Sequence, residues 1–235
     1  MGLEDAMTPV VARARRAMAF VQRRPYFGLY RVELGGEHRN GSVHVVEPLF
    51  PSAARDWLPT VAPDDRQLVF VSDRSGSNGL WWADLEQPDS LRMIAGVSPV
   101  TRYAPAWSAD SRRLLVINVG ADGQSSVQEV VPASGRVTRL TVPVADPLQA
   151  LYLPDPNRLL VLSANADGHP KLHLFDRGRQ PWLQLAQIDD VSNLRVDAGR
   201  NRVLFTRLTQ SGLWQADLDL SAASLQRVDV DQPTP

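Results

Sequence analysis

No cysteine occurs among the 235 residues, which removes disulfides, thiolate metal sites and cysteine nucleophiles together. Lysine is almost as scarce. Lys171 stands alone, so arginine supplies the rest of the 25 basic side chains, which 26 acidic ones balance to a net charge of −1. These arginines are scattered along the chain, and pairs such as Arg15-Arg16 and Arg23-Arg24 read as solvated strand ends, not as a nucleic-acid surface. No apolar stretch approaches the roughly 20 residues that carry a helix across a bilayer. The opening Met1-Gly2-Leu3-Glu4-Asp5 puts acids where an export signal carries positive charge. Hydrophobic residues at 43% and charged ones at 22% are the proportions of an ordinary folded domain, so disorder is not indicated.

Catalytic patterns are missing too. The chain contains no Gly-x-Ser-x-Gly elbow, no Walker-type glycine loop and no dinucleotide fingerprint. His169 and His173 have the spacing of a helical zinc pair, but no Glu follows His169, and His173 aligns with aromatic positions of a repeat described below. The adjacent acids Asp64-Asp65 and Asp189-Asp190 point in different directions on a strand or turn. The expectation is therefore no enzyme: no catalytic residue, no cofactor and no metal.

What is present is a repeat. The apolar cores Ala17–Val21, Gln67–Val71, Arg113–Ile117, Arg158–Leu162 and Arg202–Thr206 start 50, 46, 45 and 44 residues apart. A period of about 40 to 50 residues, with several short strands in each unit, is the mark of propeller blades. Continuous apolar runs such as Leu68–Val71 and Leu159–Leu162 are too short for helices and read as strands buried on both faces. Each unit adds a third strand, for example Leu80–Leu85 or Leu213–Leu218, and a fourth, for example Val43–Val46 or Leu91–Ile94. The expected fold is all-β, a propeller of four-stranded antiparallel blades. Its expected boundaries are a tail at 1–8, blades at 9–58, 59–104, 105–149, 150–193 and 194–230, and a tail at 231–235. Residues 9–21 also fit an amphipathic helix, but they align without a gap with 59–71, which favours two strands.

The best copy, Pro59-Thr60-Val61-Ala62-Pro63-Asp64-Asp65-Arg66 followed by an apolar strand, Ser72-Asp73-Arg74-Ser75-Gly76 and Leu80-Trp81-Trp82-Ala83-Asp84-Leu85, resembles the TolB-type propeller repeat. Pro105–Arg112 is a second copy, and Leu153–Arg158 and Arg195–Arg200 are weaker ones. In place of the family's turn glycine stand Asp65, Ser111 and Asn157, of which Asp and Asn tolerate positive φ. The recurring Asp64, Asp110 and Asp155 are expected to accept backbone N–H bonds within that turn. TolB-like rings have six or more blades, so five units imply an open arc belonging to a longer protein. Such an arc would leave Phe20 and Phe205 on uncovered end faces, a basis for self-association.

The resemblance also implies a place for binding. In a propeller, the loops joining second to third strands and those joining successive blades share one face. Here these are the segments 73–79, 119–125, 164–170 and 208–211, with 48–57, 96–103, 142–147 and 186–191. Loops on a rigid scaffold carry binding residues, and Trp57, Arg74, Arg102 and Tyr103 are the candidates, as aromatic and arginine anchors. A protein or a small signal molecule is the expected partner, with no nucleic acid and no membrane segment. By resemblance the chain is expected to be an interaction or sensing module, in the manner of the extracytoplasmic part of CadC-type transcriptional regulators, which implies the periplasm. The alternatives are a periplasmic envelope protein of the TolB kind and the propeller that gates a prolyl-oligopeptidase-like serine hydrolase.

Overall fold

The computed structural model of the chain describes residues 6–12, 17–22, 27–32, 46–165 and 168–228. It divides into two compact units, residues 1–55 and 56–235. In the first, β1 (Ala6–Ala12) pairs antiparallel with β2 (Ala17–Gln22), and β3 (Leu29–Val32) with β4 (Val46–Leu49). The stretch that could have been a helix is thus two strands, as the alignment with 59–71 requires. Two boundaries move: the first strand already starts at Ala6, and the fourth strand of this unit, expected at Val43–Val46, is described from Val46 onward, where Val46 pairs with Val32. Residues 43–45 and the turn at 13–16 lie outside the described residues.

The second unit consists of four antiparallel four-stranded sheets arranged as propeller blades. They are β5 (Asp56–Val61) to β8 (Gln87–Ile94) with β6 (Gln67–Ser72) and β7 (Gly79–Asp84) between; β9 (Ala106–Trp107), β10 (Leu114–Val119), β11 (Ser125–Val131) and β12 (Arg136–Arg139); β13 (Pro147–Tyr152), β14 (Arg158–Ser163), β15 (Lys171–Asp176) and β16 (Leu183–Asp189); β17 (Val191–Asp197), β18 (Arg202–Arg207), β19 (Leu213–Asp217) and β20 (Gln226–Val228). Blade 1 of the repeat is therefore described only as two strand pairs, and blades 2 to 5 as whole sheets.

The continuous apolar runs have a simple cause. Successive side chains on a strand point to opposite faces, and β10 and β14 each lie between two neighbouring blades. Leu114 and Val116 pack with Val69 and Leu80 of the blade before, whereas Leu115 and Ile117 pack with Leu159 and Val161 of the blade after. Leu160 and Leu162 then turn to Val203 and Phe205. Each such leucine, fully buried, contributes about 1.5 to 3 kcal/mol. Phe205, expected on an uncovered face, is 1% exposed. It occupies the place of Val116 and Val161 in the repeat, which likewise face the blade before, and so it packs back onto Leu160 and Leu162 of blade 4. The side chain of Phe20 lies outside the described residues.

The hairpin turns behave as the repeated aspartates require. Asp64 Oδ1 accepts the Arg66 N–H at 3.0 Å, Asp110 Oδ1 the Arg112 N–H at 3.1 Å and Asp155 Oδ1 the Asn157 N–H at 2.9 Å. The Arg66 N–H bond, opposed by partial desolvation, holds the Asp64 carboxyl below its ordinary pKa, and the Ser108 hydroxyl does the same for Asp110. Asp65 and Ser111 adopt φ of 60° and 58° in place of the family's glycine. Asn157 does not. In blade 5 the left-handed residue is Asn201 at 51°, and Arg195–Asp197, aligned with the turn in the sequence, belong to β17. Strands β5, β13 and β17, the first of their blades, each carry a bulge, between Trp57 and Thr60, Pro147 and Gln149, and Val191 and Leu194.

Candidate functional site

Strand direction assigns the two ends of the second unit. Strands β5, β9, β13 and β17 run away from the interblade connections, so their starts and the β6–β7, β10–β11, β14–β15 and β18–β19 loops share one face. On that face an aspartate opens or immediately precedes the first strand of three blades, Asp56 as the first residue of β5 and Asp146 and Asp190 just before β13 and β17. Asp56 is 5% exposed and receives Arg74 in a two-pronged bond, Nε to Oδ1 at 3.0 Å and a terminal nitrogen to Oδ2 at 2.6 Å. The Arg74 guanidinium also lies 5.2 Å from the Phe70 ring centroid and 5.9 Å from that of Trp81. Asp190, at φ 64°, holds the β18–β19 loop by accepting from the Thr209 hydroxyl and, at 3.1 Å, from the Thr209 N–H. His169 Nδ1 stands 3.5 Å from its other oxygen. The Thr209 hydroxyl bond lowers the Asp190 pKa, desolvation opposing it and the Thr209 N–H and His169 adding to it. The loops are thereby tied to the strands beneath them.

Two cavities lie within the second unit, one lined by residues of blades 2 and 5 and of the connection to blade 3, the other by the first strands of blades 2 to 5. One, of about 440 Å³, is walled by Leu58, Arg102, Tyr103, Asn193, Arg195 and Thr206 among others. These residues lie near the loop-face ends of their strands. The other, of about 350 Å³, is walled nearer the opposite face by Thr60, Trp107, Gln149, Tyr152 and Val196, and it shares Ala104 and Arg195 with the first. The shared residues make them successive sections of one channel.

The four candidate residues separate into two pairs. Arg102 and Tyr103 line the larger cavity, with the guanidinium 5.3 Å from the ring centroid. Tyr103 is only 8% exposed, and its hydroxyl has no hydrogen-bond partner among the described residues. Arg74 is committed to Asp56. Trp57 is not on a loop at all. It is the second residue of β5, opposite Val71, half-buried, because the strand begins three residues before the proline that the repeat suggests. Likewise residues 186–189, expected in a loop, continue β16.

Several residues were not foreseen. Leu58 and Gln149 reach the cavities at the bulges of β5 and β13, which turn side chains that simple alternation would point elsewhere, whereas Asn193 and Arg195 follow the alternation of β17. The alternation of buried Ser192 and Leu194 with exposed Asn193 and Arg195 is a signal present in the sequence. A second surprise is a Ser163 Oγ to His173 Nε2 contact of 3.1 Å. His173 Nδ1 is 3.1 Å from Gln184 Oε1, which must accept, so Nδ1 carries the proton and the Ser163 hydroxyl donates to Nε2. Burial lowers the His173 pKa, only partly offset by Gln184, and favours this neutral form. Ser163 and His173 are 4% and 7% exposed. His169 stands beside Asp190, whereas His173 lies between Ser163 and Gln184, and among the described residues no group of three or more His, Asp or Glu side chains could hold a metal.

No protein-family model matches the chain. Its fold is similar to that of solved TolB-like propellers. A putative TolB from Agrobacterium tumefaciens superposes with a TM-score of 0.66 at 14% identity, covering 94% of this chain and 79% of that one. TolB from Acinetobacter baumannii gives 0.60 at 16% identity over 80% of this chain, which spans only 47% of that protein. An oligogalacturonate lyase from Vibrio parahaemolyticus gives 0.56 at 11% identity, over 86% of this chain and 59% of that one. At such identities the likeness concerns the fold.

Proposed function

We propose that the chain is a non-catalytic β-propeller module for protein interaction or signal sensing, and that it binds through its loop face and the channel mouth within it. The observation that carries this reading is the cavity of about 440 Å³ at the loop-face end of the channel, a volume within the range of ordinary ligand sites. Loops fixed by Asp56–Arg74 and Asp190–Thr209 surround it. Pre-set loops lose little conformational entropy on binding. The non-catalytic part rests on the burial of Ser163 and His173, which leaves that hydroxyl without access to a substrate, and on its role as donor to a histidine already satisfied by Gln184. The arginine-rich, TolB-like repeats fit the extracytoplasmic part of a CadC-type transcriptional regulator, where a propeller would report a signal to segments elsewhere in the protein.

Site-specific photocrosslinking in the native host tests the reading. A crosslinker at Ser75, Gly123 or Gln210 on the loop face is expected to give discrete adducts, and one at Asp65, Arg112 or Pro156 on the opposite face none. Adducts only from the opposite face, or from neither, would overturn it. Turnover of ester, peptide or uronide substrates that Ser163→Ala abolishes would overturn the non-catalytic part.

A further inference from the structure

We infer that the loop-face cavity is a binding site for a small organic anion, a carboxylate on an apolar body, which resting on the interaction reading gives it a ligand class. The charge of the lining comes first. Two guanidinium groups, Arg102 and Arg195, border the cavity, and no aspartate or glutamate does. Both arginines are exposed, and among the described residues neither has a carboxylate partner, Arg195 donating only to the Leu194 carbonyl at 3.1 Å. Of the three aspartates at the first strands on this face, Asp56 is engaged by Arg74 and Asp190 by Thr209 and His169, and Asp146 does not line the cavity. An anion in the cavity therefore meets two cations and no opposing charge, and planar guanidinium suits a carboxylate in particular.

The remaining wall decides the rest of the ligand. Leu58, Leu204 and Leu213 are half-buried and present apolar surface to the cavity. Polar partners for a ring of hydroxyls are few, since Asn193 and Thr206 already bond each other. An aliphatic or aromatic body fits this wall better than a sugar acid. Tyr103 adds a donor: its hydroxyl is buried in the wall without a partner, a costly state that a bound acceptor relieves. The backbone is shaped to the same end. Leu58 sits in the β5 bulge at φ 52°, unfavourable for a residue with Cβ, and Asn193 sits in the β17 bulge. Strain of this kind collects at binding sites.

The test is titration calorimetry of the full chain with 4-phenylbutyrate, its primary amide and galacturonate. The expected result is saturable 1:1 binding of phenylbutyrate with a Kd tighter than about 1 mM, and at least roughly tenfold weaker binding of the amide, as losing a charged hydrogen bond implies. Arg102→Gln and Arg195→Gln should each weaken phenylbutyrate at least about tenfold on the same ground, and Tyr103→Phe by a smaller factor with no loss of stability. Arg112→Gln, on the opposite face, should change nothing. Both arginines are exposed, so unchanged melting curves verify that the variants fold. Absence of saturable binding, equal binding of acid and amide, tighter binding of galacturonate, or indifference to both arginine variants would each overturn the inference. Loop-face crosslinks that persist alongside a negative titration remove only the anion site, whereas lost crosslinks with intact titration remove only the interaction reading.

Discussion

Removing the Glu129 carboxylate should loosen the joint between blades 3 and 4, and the size of the effect can be worked out from its partners. Glu129 Oε1 accepts from the Tyr152 hydroxyl and from an Arg177 terminal nitrogen, both at 2.8 Å, with an Arg113 nitrogen at 3.8 Å. Its side chain is 19% exposed, and that of Arg177 is 17% exposed. In Glu129→Ala the Tyr152 hydroxyl, in a residue 8% exposed, is left unsatisfied. Arg177 retains its bond to the Pro156 carbonyl, so it is not fully orphaned. One charge-assisted bond lost with a buried donor stranded, plus a partly screened ion pair, comes to about 2 to 4 kcal/mol. For a domain of this size that lowers Tm by roughly 4 to 16 °C. Urea unfolding at neutral pH measures it directly, and a cost below about 0.5 kcal/mol, the level of an ordinary surface change, would refute the reasoning. Acid supplies a second check. Burial alone would raise the Glu129 pKa, but Arg177, Tyr152 and Arg113 outweigh it and hold the carboxyl below its ordinary value. A depressed carboxyl stabilises the fold above its unfolded pKa and loses that contribution as pH falls through the folded one. The gap between wild type and Glu129→Gln should therefore close at pH values below the ordinary glutamate range. Tyr152 should stay protonated throughout, since burial and then the Glu129 carboxylate push its phenol upward.

Asp56→Ala leaves the Arg74 guanidinium, 12% exposed, without its carboxylate and should cost about 3 kcal/mol, with faster proteolysis in the 73–78 loop; unchanged stability would show that the pair does not fix the loop. Trp81 and Trp214 occupy equivalent places, opposite Phe70 and Phe205 and beneath Arg74 and Arg207. Because both are half-buried, alanine at either should cost about 2 to 3 kcal/mol, below the roughly 3 to 5 for a fully buried aromatic, and a difference above about 2 kcal/mol between them would break the equivalence. His173 has a lowered pKa, so the stability it supports above the ordinary histidine range should be lost as pH falls through its folded value. Chemical denaturation from neutral to mildly acid pH should show this in wild type and not in His173→Gln, and parallel curves would count against it.

The repeat made the blades legible because each strand's environment is nearly the same in every copy. Leu114–Ile117 and Leu159–Leu162 face neighbours on both sides, and Leu68–Val71 repeats their pattern, so apolar character recurs at a fixed spacing and betrays the architecture. The turn aspartates were legible for a related reason: an Asx turn is closed within three residues, and its donors and acceptor are neighbours in sequence. The site was legible only in half. Arg102 and Tyr103 could be chosen as an aromatic beside an arginine, but Trp57 and Arg74 satisfy the same description and lie elsewhere.

By itself, then, the order of residues determined the all-β fold, the strand pairs in the N-terminal segment and the hydrogen bonds of the hairpin turns, all of which depend on short-range pattern and local geometry. Tertiary structure alone decided which polar groups meet. The Glu129–Arg177 pair spans 48 positions, the cavity joins Leu58 to Arg102 and Arg195, and Phe205 turns inward to blade 4. Each of these joins residues far apart in the sequence, so strand pairing and blade packing bring them together, and a shift of one residue would exchange the two faces of a strand without changing its composition.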